Sequence, residues 1–197
     1  MVLHLLSFAV GAGAATLHDV TFGRQVQSFD LKTWNASLFD TYKRLIRVSL
    51  IWLSVSGLAL YLPLARELNA EPLFIGKVVI FICLCLASAG LYGRVTPTLI
   101  YSLNSAEVSS KRQRQLGFGL STLALGSWYG LVTLSVLRLD MPLGVVLGLY
   151  SSYAVFSAVT GYLAERRFSR RFQTTSERTL KEVAAELLEE TDLSFLK

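Results

Sequence analysis

Five runs of about twenty apolar residues each, with most of the charge gathered between and after them, constrain this chain more than anything else in it. They are Val2–Phe22, Leu45–Leu64, Pro72–Tyr92, Leu116–Leu137 and Pro142–Ala164. At 1.5 Å of rise per residue, about 20 helical residues match the hydrocarbon thickness of a bilayer. In hydrocarbon every backbone polar group must be satisfied within the segment, so each run must be a helix. Only 17% of the 197 residues are charged, against about 25% in soluble domains. The expected fold is an all-α, polytopic membrane helical bundle over residues 1–164 with five transmembrane helices. Residues 165–197 are expected to add a cytoplasmic basic juxtamembrane segment and an amphipathic helix.

Lysine and arginine set an expected orientation. The first loop holds Arg24, Lys32, Lys43 and Arg44, with Arg47 just inside the second run. The second loop holds Arg66 alone, the third Arg94, Lys111, Arg112 and Arg114, and the fourth Arg138 alone. The tail opens with Arg166, Arg167, Arg170 and Arg171. This alternation satisfies the positive-inside rule with the N-terminus outside and the C-terminus in the cytoplasm. A bacterial inner (plasma) membrane is the expected location. The net charge of +5 is explained by these flanking cations, so nucleic acid is not an expected partner. Ala12-Gly13-Ala14 has the form of a leader cleavage site, but no basic segment precedes it. The first run is therefore read as a span.

Small residues recur every fourth position: Ser7, Gly11 and Ala15; Ala89 and Gly93; Gly126 and Gly130; Gly144, Gly148 and Ser152. Such stripes predict helix-packing faces. Gly11 and Gly13 could also make room for a flat cofactor. Cys83 and Cys85 lie about 200° apart on one helix, which prevents bridging. Residues Arg24 to Arg44 are amphipathic enough for a short surface helix. In the tail, Thr174 and Glu177 fit a capping box, and Leu180, Val183, Ala184, Leu187 and Leu188 follow at helical spacing. This predicts a separate amphipathic helix ending near Asp192, with a role either in packing or in docking a protein partner.

Ionisable residues within apolar spans are costly and are functional candidates by default. His4, His18, Asp19 and Lys77 are four such residues. His4 and His18 share a helix face but sit about 21 Å apart along it, too far to hold one ion. His18 and Asp19, with Arg24 beyond, read either as an interfacial polar cap or as a proton-relay or propionate site. Lys77 either snorkels to the headgroups or joins His4. The first and third spans run in the same direction, so His4 and Lys77 lie at nearly one depth. A neutral imidazole and a desolvated amine are both competent ligands for haem iron.

The segments LHLLSFAVGAGAATLHDVTFGR, RLIRVSLIWLSVSGLALYL and FIGKVVIFICLCLASAGLYGR resemble a group of small bacterial inner-membrane proteins. That group is similar in layout to the copper-resistance CopD domain and the HemJ-type protoporphyrinogen oxidases. In the latter, a histidine early in the first span and a lysine early in the third are linked to haem b. His4 in Val2-Leu3-His4-Leu5 and Lys77 in Gly76-Lys77-Val78-Val79 match those positions, so the resemblance implies that they are axial ligands. It covers roughly the first 100 residues. The HemJ-type pattern has a tryptophan before the lysine, where this chain has Leu73 and Phe74. It has a histidine late in the third span, where this chain has Tyr92, and four core spans rather than five.

The chain has no phosphate-cradling glycine loop, no C-x-x-C, no H-E-x-x-H and no nucleophile elbow. The reading is a redox-linked, haem-associated membrane protein with His4 and Lys77 as its metal-binding residues. The alternatives are a non-enzymatic scaffold that docks a partner through its tail, and a transporter of a metal or small solute.

Overall fold

The computed structural model describes residues 1–28, 36–68, 71–98, 111–136 and 141–194. Side chains of residues 23–28, 36, 168 and 170–194 are not described. The described residues are helical almost throughout and contain no strand. The long helices are α1 (Val2–Ser28), α2 (Ala36–Tyr61), α3 (Pro72–Gly90), α4 (Lys111–Val136) and α5 (Leu143–Ser194). All five are long and apolar enough to cross a membrane. Proline sits at the start of α3, where its missing N–H costs nothing.

Helix boundaries depart from the sequence reading in three places. Residues Arg24 to Arg44 do not form a separate surface helix: α1 runs on to Ser28 and α2 begins at Ala36. The third helix does not stop at Tyr92. It passes through a π-turn over Leu91–Val95 and continues to Thr98. The tail does not start a new helix at Thr174, because α5 is continuous from Leu143 to Ser194. No glycine or proline separates Gly161 from Ser194, and a capping box acts only where the chain enters a helix from outside.

The helices run alternately up and down. His4 near the start of α1 meets Ser56 near the end of α2, and Gly76 near the start of α3 meets Val146 near the start of α5. At the other end His18 of α1 packs on Phe39 of α2 and Tyr92 beyond α3, and Phe22 packs on Phe118 of α4. The first and third helices therefore run in the same direction. The main packing pairs are α1 with α2, α3 with α4, and α4 with α5. By contrast α2 and α3, though consecutive, barely touch.

Trp128 of α4 is the largest fully buried side chain. Its ring lies directly over Gly11 of α1, and Phe8 packs edge-on against it with centroids 5.2 Å apart. The flat ring accommodated at Gly11 is thus an indole from the chain itself, while Gly13 faces open space. The stripe of Gly144, Gly148 and Ser152 is exposed and packs no helix. The close approach of α5 to α4 occurs instead at Gly161, against Gln115 and Gly119. Four-residue spacing identifies a stripe but not which face of the bundle it occupies.

One methyl group tests the α1–α4 contact. Gly11→Ala drives a Cβ into the buried Trp128 ring and should cost about 1–3 kcal/mol. Gly13→Ala adds the same atom in open space and should leave stability unchanged or raised. Thermal unfolding midpoints of the two variants in detergent check this.

Candidate functional site

α1 carries His4 and Phe8 on the face turned towards α2 and α3. α2 contributes Leu53, Ser54, Gly57 and Tyr61, α3 contributes Phe74, Lys77 and Phe81, and the end of α4 closes the floor with Leu131 and Ser135. These residues line an open-sided cavity of about 670 Å³. That lies within the roughly 300–1,000 Å³ typical of ligand and cofactor sites. The structure thus brings His4 and Lys77 into one site, which the chain assembles because α1 and α3 run the same way. Both side chains are partly buried.

His4 is held in place. Its Nδ1 lies 2.9 Å from Ser56 Oγ, and Gly57 leaves room for the ring edge, with Cε1 3.5 Å from where a Cβ would stand. Ser56 Oγ donates to the Trp52 carbonyl at 2.6 Å, so its lone pair is free to accept from an Nδ1–H. In a neutral ring that arrangement puts the proton on Nδ1 and leaves Nε2 as the available ligand atom, as outer-shell partners commonly do for ligating histidines. The walls are largely apolar and offer flat faces. Tyr61 and Phe74 stack with centroids 5.6 Å apart and planes 1° from parallel.

His18 and Asp19 occupy the other end of the bundle and do not line this cavity. His18 is 3% exposed, and its Nδ1 is 3.2 Å from Asp19 Oδ1. The rings of Phe39 and Tyr92 meet it edge-on at 5.3 and 5.0 Å, and Phe22 stacks on it at 6.2 Å. Tyr92, where the HemJ-type pattern has histidine, is one wall of this aromatic box. His18 Nε2 has no hydrogen-bond partner in the structure. The Arg24 side chain lies outside the described residues. Cys83 and Cys85 are free thiols.

Sequence reasoning missed an ion pair. Arg114 Nη2 of α4 is 3.1 Å from Glu165 Oε1 of α5, and Ser169 donates to the same carboxylate oxygen at 2.5 Å. Glu165 is 1% exposed and Arg114 15%. Glu165 directly follows the fifth apolar run and opens the basic stretch ERRFSRRF, so it reads as part of a charged surface segment. The signal that was available is the spacing of Glu165 to Ser169, one helical turn that stacks hydroxyl on carboxylate.

Among the described residues no group of three or more His, Cys, Asp and Glu side chains could hold a metal ion. Two nitrogen donors in an aromatic-walled cavity suit a group that brings most of its own ligands, not a bare ion. Comparison with known protein families, with curated proteins and with solved structures returned no match to this chain.

The Arg114–Glu165 pair predicts a non-additive response. Glu165→Ala removes the carboxylate that faces the Arg114 guanidinium and should lower the unfolding midpoint. The double variant Arg114→Leu with Glu165→Leu removes both charges and should recover most of that loss, read as the unfolding midpoint of the purified chain.

Proposed function

We propose that this chain is a multi-pass protein of the bacterial inner membrane, N-terminus outside, that binds haem b between α1, α2 and α3 and serves a redox role. The observation that carries this reading is the shared cavity of His4 and Lys77, with His4 oriented by Ser56. The two donors come from separate helices and are distant in sequence. The cavity is the right order of size for a cofactor, and Phe8, Tyr61, Phe74 and Phe81 provide surfaces for a flat ring.

In this reading His4 would hold the haem through Nε2, its ring positioned by Ser56. Lys77, on the same cavity, would supply the second nitrogen. Phe8 and Leu131 give the cavity's inner side an apolar lining. Haem bound there would supply one-electron transfer, with its potential tuned by the ligands and the low dielectric. Resemblance to the CopD and HemJ-type proteins supports the same ligand pair. The reading takes the cavity residues alone as the haem site. The His18–Asp19 pair is about 21 Å further along α1 and would serve proton relay at the opposite end.

The test is the visible spectrum of membranes and of the detergent-purified chain after expression with haem supplied. A Soret band is expected, and His4→Ala or Lys77→Ala should abolish it or shift it while unfolding midpoints hold. No Soret band in the wild-type chain, or one indifferent to both substitutions, refutes the reading.

A second reading, a scaffold with a docking tail, is favoured by the continuous α5, whose apolar part ends at Arg167 while the helix runs to Ser194. Truncation after Thr174 separates the two: a haem protein keeps its pigment, and a scaffold loses its co-purifying partner.

A further inference from the structure

A second cavity, about 450 Å³, opens between α2 and α3 towards the other end of the bundle. Its walls include Lys43, Arg47 and Leu50 from α2 and Ser88, Ala89 and Gly93 from the third helix. Ser54 lines both this cavity and the His4–Lys77 cavity, so one cleft follows α2 along most of its length. The cleft exists because α2 and α3 barely touch. Ala89 and Gly93, expected to pack a neighbouring helix, are exposed and form its wall.

Two independent features say what would fill it. Lys43 and Arg47 are one helical turn apart at its charged end, and no carboxylate pairs with either among the described residues. Ser88 Oγ, on a residue 4% exposed, has no hydrogen-bond partner. Hydroxyls elsewhere in these helices, such as Ser54, Ser127 and Ser157, donate to the carbonyl four residues back. A buried hydroxyl left unpaired is costly, and Ser88 lines the same cleft as the two cations. Below it the walls become apolar.

We propose that the cleft between α2 and α3 binds one anionic phospholipid lengthwise, its phosphate on Lys43 and Arg47, its ester oxygens at Ser88 and an acyl chain running along Leu50 and Ile51 towards Ser54. The order of cations, hydroxyl and apolar wall matches the order of phosphate, ester and hydrocarbon in a phospholipid. Basic pockets between membrane helices hold anionic headgroups in this way. The inference rests on the membrane part of the proposed function and is independent of haem.

Native mass spectrometry of the detergent-released chain, titrated with phosphatidylglycerol or phosphatidylcholine of matched acyl chains, tests it. One phosphatidylglycerol should bind about 30-fold more tightly than phosphatidylcholine, the effect of about two interfacial cations. Lys43→Gln with Arg47→Gln should abolish that preference, and the charge-keeping pair Lys43→Arg with Arg47→Lys should retain it. Ser88→Phe, which fills the cleft, should weaken both lipids. Equal binding of the two lipids, or a preference that survives the glutamine pair, overturns the proposal. Recovery of the chain in the soluble fraction would instead refute the membrane reading itself. An absent Soret band with intact lipid preference would refute only the haem.

Discussion

The seating of Gly11 under the Trp128 ring is the contact on which the rest of the arrangement depends. It brings α1 against α4 at mid-length, where a side chain at position 11 would hold the helices apart. α1 in turn carries α2, with which it packs along most of its length. Phe8, one turn away, leans on the same indole and forms the inner wall of the cavity. His4, a further turn along, lines the same cavity as Lys77. Removing this approach would displace both α1 and the helix that reaches the bundle through it.

The separation of α2 from α3 follows from that seating. α2 is anchored by α1, and α3 by α4 and α5. The connection between α2 and α3 runs from 62 to 71 and includes short helical turns at Leu62–Leu64 and Ala65–Leu68, so the helices are neighbours without packing. The resulting cleft has His4 and Lys77 at one end and Lys43 and Arg47 at the other. A bundle of helices with uniformly exposed apolar faces thus gains one surface with a distinct polar order. Packing in such bundles relies on close van der Waals contact and polar pairing, and both lie along the α1–α2 and α4–α5 seams and around Trp128, not between α2 and α3.

The five helices were legible in the sequence because length and hydropathy are local properties. The shared depth of His4 and Lys77 was legible as well, since it needs only the helix rise and an alternation of directions. Which face each residue presents was not. Gly144, Gly148 and Ser152 have the spacing of a packing stripe yet are exposed, and Gly11 has the look of a cofactor gap yet holds Trp128. Facing is decided by the partner helix, which no single segment encodes. Helix ends were missed where the sequence offered a start signal with nothing to interrupt the preceding helix, as at Thr174. Ser56 and Glu165 escaped notice because each has its effect through a residue on another helix.

The most direct test of this arrangement is proximity. In a background of Cys83→Ser and Cys85→Ser, a short bis-methanethiosulfonate linker is applied to two double variants in membranes. His4→Cys with Lys77→Cys should form an intramolecular cross-link, because both positions border one cavity. His18→Cys with Lys77→Cys should not, because those positions lie at opposite ends of the bundle. Cross-linking of the second pair in preference to the first would contradict the account.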